Sequence, residues 1–197
     1  MKHLSLISDY QKNVTRLIND LDVATFQKMI VILDKAYRHQ QLILVIGNGG
    51  SAATAAHLAC DLAKTVRSRN HHSPMVPGFR AISLPDNVPT LTAWANDFAY
   101  DRAFEQEVIN LGQKGDVLIA ISSSGNSPNI LRAVKAAREK GLVTLGISGF
   151  GGGKLARLCD QDLVFNHHEY GPVEDMQLVV CHLITAIFQK KLATGQQ

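Results

Sequence analysis

Two aliphatic runs, Leu42 to Ile46 and Val117 to Ile121, each pass directly into a short loop and from there into a helical pattern. The loops read Gly47-Asn48-Gly49-Gly50-Ser51 and Ser122-Ser123-Ser124-Gly125-Asn126-Ser127. A strand, loop and helix in that order, occurring twice, narrows the choice of fold. Apolar runs without alternation fit strands buried on both faces, and such strands belong to parallel sheets covered by helices. The loops also carry a chemical implication. The first N–H groups of a helix lack internal partners and lie at the positive end of its dipole, so a glycine-opened loop lets an anion reach them and serine adds uncharged donors. Two such loops suit a phosphorylated small molecule.

The rest of the chain agrees with an α/β reading. Residues 4 to about 39 hold no strand-like run, and Leu4, Ile7, Val14, Ile18, Leu21, Phe26, Ile30 and Leu33 recur mostly at spacings of three and four, which predicts two helices divided near Asp20-Leu21-Asp22. Further strands are expected at Val143 to Ile147 and Leu163 to Phe165, with a weaker one at Ala81 to Leu84. Ser68 to Gly78, with Pro74 and Pro77, reads as an exposed loop or lid. A last long helix is expected from about Val173 to Leu192, after the start signal Tyr170-Gly171-Pro172. The whole, residues 1–197, is read as one domain: a helical pair over 1–40, then an α/β core and C-terminal helix over 41–197.

Composition excludes several classes. With 46% hydrophobic and 19% charged residues, 197 residues suffice for a full core and are not disordered. The formal charge is only +3, and its densest basic group, Lys64, Arg67 and Arg69, is small, so no nucleic-acid partner is indicated. Cys60, Cys159 and Cys181 form no Cys-x-x-Cys pair and suit a reducing compartment. No apolar run reaches the roughly 20 residues of a membrane span, and the N-terminus lacks a signal-peptide core, so a cytoplasmic protein with no membrane partner is expected.

Two nucleotide readings fail on the residues. Gly47, Gly49 and Ala52 satisfy the loose dinucleotide fingerprint, but the place where a ribose-binding acid is needed reads Arg67-Ser68-Arg69-Asn70-His71. Neither loop ends in lysine followed by serine or threonine, which removes the P-loop.

The pairing of the two loops, with Ala95-Asn96-Asp97 between them, resembles the sugar isomerase (SIS) domain, and within it the phosphoheptose isomerases. The resemblance covers nearly the whole chain. It implies a flavodoxin-like parallel sheet flanked by helices, a homotetramer with active sites shared between neighbours, and conversion of sedoheptulose 7-phosphate to D-glycero-D-manno-heptose 7-phosphate, a step toward heptose in bacterial envelope polysaccharides. It further implies that Ser122, Ser123, Ser124 and Ser127 grip phosphate, with Ser123 standing where threonine is usual. Asn48, Gly49, Gly50, Ser51, Asn96 and Asp97 would contact the sugar.

The resemblance points next to His57, Asp61, Glu174 and His182. His57 and Asp61 are four apart on one helix face. Asp61 stands where the family has glutamate, described there both as metal ligand and as base, and Glu174 stands where the family has glutamine. Glu174 and His182 are eight apart, about two turns plus 80°, and share a broad face rather than a stripe. Together the four would offer two nitrogens and two carboxylates, a first shell suited to zinc, with Glu174 also near the substrate. His182 sits amid Leu178, Val179, Val180, Cys181, Leu183 and Ile184, where a polar ring must find a partner. The expected mechanism is an enediol isomerisation with Asp61 as base and His182 as proton relay. An isomerase of another sugar phosphate, or a non-catalytic adaptor like the one that binds the bacterial replication initiator, are the alternatives. His71-His72 and His167-His168 are expected at the surface.

Overall fold

A computed structural model of the chain describes residues 2–67 and 77–194. Five parallel strands, β1 (Leu42–Ile46), β2 (Arg80–Ser83), β3 (Val117–Ser122), β4 (Val143–Ser148) and β5 (Gln161–Val164), form one sheet in the order β2-β1-β3-β4-β5. The helices are α1 (Lys2–Asn19), α2 (Val23–Arg38), α3 (Gly50–Cys60), α4 (Val88–Asp97), α5 (Ala103–Leu111), α6 (Pro128–Glu139), the short α7 (Leu155–Leu158) and α8 (Tyr170–Ala193). The order is that of a flavodoxin-like doubly wound sheet, as expected. Its chain reverses direction of growth between β1 and β3, so the loops after those two strands open a crevice at their carboxyl ends. Most of the segment read as a lid, including His71-His72, lies outside the described residues.

Alternation within the central strands sorts the core into two layers. Ile43 and Val45 of β1 and Val117, Ile119 and Ile121 of β3 face α2, α3 and α8, where they meet Met29, Leu33, Leu58, Val180 and Phe188. Leu44 and Ile46 with Leu118 and Ala120 face α5 and α6 and meet Phe104, Val108, Ala133 and Val134. Burial on both faces is why these runs show no polar residue. The break between the N-terminal helices falls where Asp22 caps α2, its carboxylate accepting from the Thr25 N–H at 3.0 Å and the Thr25 hydroxyl at 2.7 Å.

The last helix corrects two expectations. It begins at Tyr170, ahead of Pro172, because proline is tolerated in a first turn whose N–H groups are unpaired anyway. It is also, by length and composition, apolar enough to cross a membrane, contrary to the reading from apolar runs. Half of its apolar window is buried against the chain's own core, which is what a central packing helix requires.

One core group makes the fold pH-sensitive. Glu107 on α5 is 3% exposed, and its Oε1 has no hydrogen-bond partner among the described residues. Burial raises its pKa from 4.5 to about 7. The fold therefore favours the protonated form: this contribution is full below pH 4.5 and is lost as pH rises through about 7. Glu107→Gln is expected to stabilise the protein at pH 8 by about 1–3 kcal/mol, several degrees in Tm, with a smaller gain at pH 5. Thermal melts at the two pH values check this, and an unchanged Tm at pH 8 would contradict it.

Candidate active site

Helices α3 and α8 lie side by side and run in the same direction, as four contacts show. Gly50 faces the Glu174 carboxylate, the Ser51 hydroxyl donates to Gln177 Oε1 at 2.9 Å, the His57 and His182 Nε2 atoms are 3.0 Å apart, and the Thr185 hydroxyl lies 3.2 Å from Asp61 Oδ2. Both residue numbers rise together along the pair. One end of this seam holds the two loops; the other holds the histidines. At 1.5 Å per residue the seven residues from Gly50 to His57 advance about 10 Å.

At the loop end, Asn48 is fixed by an amide pair with Asn129: Asn48 Nδ2 donates to Asn129 Oδ1 at 2.9 Å, and Asn129 Nδ2 donates back to Asn48 Oδ1 at 2.8 Å. The Tyr100 hydroxyl donates to the same Asn48 Oδ1 at 2.8 Å. Ser122 and Ser123 are buried at the end of β3, and Ser127 occupies the cap position of α6 without bonding to its backbone. The hydroxyls of Ser122 and Ser127 make no hydrogen bond among the described residues. Ser124 Oγ accepts from the Asn126 N–H at 3.2 Å, which leaves its own hydrogen to donate. Asn96 and Asp97 are exposed at the end of α4, where Asn96 Nδ2 donates to Asp97 Oδ1 at 3.0 Å; neither hydrogen-bonds to a loop.

At the histidine end, His57, Asp61 and His182 offer ligand atoms that all lie within 4.8 Å of one another. Asp61 Oδ2 is 3.4 Å from His57 Nε2, its side chain 13% exposed. α3 passes into a π-helical turn over Asp61–Thr65, closed by the Val66 N–H donating to Asp61 O at 3.0 Å, a device common where a helix re-aims a functional side chain. Burial, with the Asp61 charge nearby, pushes the Cys181 thiol up to about 12, so it does not compete as a nucleophile or ligand.

Three placements differ from the sequence reading. Glu174 is not brought into the histidine group: its carboxylate packs against Gly50 at the start of α3, more than two turns before His182, where the helix dipole favours a negative charge. His182 is exposed in the single chain rather than enclosed by its apolar neighbours, and its partner is the edge of the His57 ring, with centroids 4.9 Å apart. His167 is largely enclosed, its Nδ1 3.4 Å from Arg16 and its Nε2 3.4 Å from Glu169, whereas His168 is at the surface beside Phe150. Sequence reasoning missed Gln177, Asn129 and Tyr100. A glutamine among Met176, Leu178 and Val179 was the one available signal, since a polar group there needs a partner.

Residues 9–149 match the SIS domain. The chain belongs to the SIS domain family. It is 35% identical over 184 residues to the phosphoheptose isomerase of Aliarcobacter butzleri, covering 93% of this chain and 94% of the relative. It is 39% identical over 161 residues to that of Nitratidesulfovibrio vulgaris, covering 82% and 73%. The solved structure of a phosphoheptose isomerase from Neisseria gonorrhoeae superposes with a TM-score of 0.83 at 27% identity, over 96% of this chain and 97% of that one. The overall fold of this SIS domain is thus similar to that structure over nearly the whole length of both chains.

The serine loop of the SIS domain depends on Gly125. Its φ of +62° suits glycine, and an added Cβ would stand 2.1 Å from the Gly152 carbonyl oxygen, a backbone atom that cannot swing aside. Gly125→Ala is expected to weaken inhibition by inorganic phosphate tenfold or more through displacement of the loop. An unchanged inhibition constant would show that the loop does not hold the anion.

Proposed function

We propose that this chain is a phosphosugar aldose–ketose isomerase acting through an enediol, with sedoheptulose 7-phosphate and D-glycero-D-manno-heptose 7-phosphate as its substrate pair. The observation that carries the reading is the α3–α8 seam, which sets the glycine and serine loops at one end and the His57, Asp61 and His182 cluster at the other, an arrangement that suits a long sugar phosphate with its carbonyl remote from its phosphate. Ser122, Ser123, Ser124 and Ser127 bind the phosphate; Asn48, Gly49, Gly50 and Ser51, with Asn96 and Asp97, bind the sugar. Binding energy at the phosphate then positions the carbonyl.

In the first half-reaction Asp61 takes a proton from C1 of the ketose, the C–H electron pair forms the C1–C2 double bond, and the C2 oxygen takes a proton from His182. In the second, the C1 hydroxyl gives its proton back to His182, C1 becomes the carbonyl carbon, and C2 takes the proton from Asp61. Asp61 has an oxygen for this: Oδ2 faces His57 and Thr185, and Oδ1 makes no hydrogen bond among the described residues.

The donor set fits a zinc ion. Two imidazole nitrogens 3.0 Å apart and a carboxylate oxygen 3.4 Å from one of them approach the roughly 3.3 Å between neighbouring ligands of tetrahedral zinc. His57, Asp61 and His182 would hold it, with Glu174 left to the sugar end. Such an ion would polarise the carbonyl and stabilise negative charge developing on its oxygen.

A cytoplasmic homotetramer completes the reading. Leu4, Ile7 and Tyr10 on α1 and Val88 on α4 with Phe98 after it are exposed apolar residues in the single chain, as subunit contacts would leave them, and the three cysteines are free thiols. The substrate is tested by comparing kcat/KM over ketose phosphates of five, six and seven carbons. The seven-carbon ketose is expected to be preferred; preference for a shorter sugar would move the assignment to another phosphosugar isomerase.

A further inference from the structure

We infer that Gln177 is a positioning residue for phosphate binding, setting the direction in which the Ser123 hydroxyl donates; this rests on the phosphate-cradle reading above. Gln177 lies on α8, fully buried, between the two loops. Its Oε1 accepts from the Ser51 hydroxyl at 2.9 Å, and its Nε2 donates to Ser123 Oγ at 3.2 Å. Ser51 and Ser123 are themselves 3% and 5% exposed, so the bridge is closed off from competing water.

The consequence follows from counting hydrogens. A serine hydroxyl has one hydrogen and two lone pairs. Ser123 spends a lone pair on Gln177, so its hydrogen remains for another acceptor, as does that of Ser124, which accepts from the Asn126 N–H. Ser51 spends its hydrogen on Gln177 and contributes to an anion only through its backbone N–H at the start of α3. One amide thus gives the two loops complementary roles: hydroxyl donors on the serine loop, backbone donors on the glycine loop. It also ties the loops to each other through α8, the helix that carries His182.

Gln177→Glu tests this with little change of volume. A buried carboxylate only accepts, so it draws the Ser123 hydrogen away from the anion and adds a like charge. Gln177→Met keeps the volume and removes both hydrogen bonds. The probes are inorganic phosphate as inhibitor and sedoheptulose 7-phosphate as substrate. For Gln177→Glu both the phosphate inhibition constant and KM should rise tenfold or more, with kcat within about threefold of the wild type; Gln177→Met should give a smaller rise in the same two constants. A lowered Tm with both constants unchanged, or a fall in kcat alone, would overturn the inference, because a purely structural glutamine gives the first and a residue acting on the chemistry the second. Should Gln177→Glu fail to fold, Gln177→Met decides by the same constants. Wild-type protein that does not bind phosphate at all would overturn the cradle reading and this inference with it. Wild-type binding with both variants unchanged would overturn this inference alone.

Discussion

Turnover of sedoheptulose 7-phosphate should fall by about 10³-fold or more when His182 is replaced by alanine, while inorganic phosphate still inhibits residual activity or binds with a constant close to that of the wild type. The asymmetry comes from the seam. His182 meets His57 at one end of the α3–α8 pair, and the loops proposed to hold phosphate lie about 10 Å away by helix rise. Removing the ring deletes the proposed proton relay and one candidate ion ligand without touching Ser122, Ser123, Ser124 or the start of α3. Stability should change little, because the ring is exposed in the chain and makes no core contact that alanine would empty. A kcat within tenfold of the wild type would remove His182 from the chemistry. The adaptor alternative predicts something different again: no turnover in the wild type, and so no effect of the substitution.

Asp61→Asn should be as damaging, about 10³- to 10⁴-fold in kcat, since asparagine keeps the shape of the side chain and loses the proposed base. The amide oxygen of the variant can still accept from Thr185, so the π-helical turn and the packing of α8 should survive, and thermal melting should show it. Bound zinc measured by elemental analysis separates the two roles given to this residue. Lost turnover with zinc retained would identify Asp61 as the base; lost turnover with lost zinc would identify the ligand role as dominant. Retained turnover would show that the proton at C1 is taken by another group.

Much of the fold was legible because buried parallel strands have a simple signature. The runs at 42–46, 117–121 and 143–147 needed no interpretation, and the weak run at Ala81 became edge strand β2, whose single neighbour demands less apolar sequence. Asp22 marked the division of the helical pair because a capping carboxylate is a local effect. The site was legible in its parts and less so in its grouping. His57 and Asp61 sit on one helix, and four-residue spacing places them together. Glu174 and His182 are separated by eight positions, about 12 Å of helix rise, which is enough to leave Glu174 beside Gly50 instead of the histidines although both face α3. The bridge through Gln177 depends on how α8 packs across both loops, and the π-helical turn at Asp61 on how α3 meets that packing. Neither has a local code, and both emerged only with the tertiary arrangement.

The central claim is that the seam between α3 and α8 is an isomerase site. The most direct test is the conversion of sedoheptulose 7-phosphate by the purified protein with zinc present, followed by NMR detection of the product. Formation of D-glycero-D-manno-heptose 7-phosphate at a rate that falls away in the His182→Ala protein is the predicted result. No conversion of this or any other ketose phosphate by folded wild-type protein that binds inorganic phosphate would contradict it.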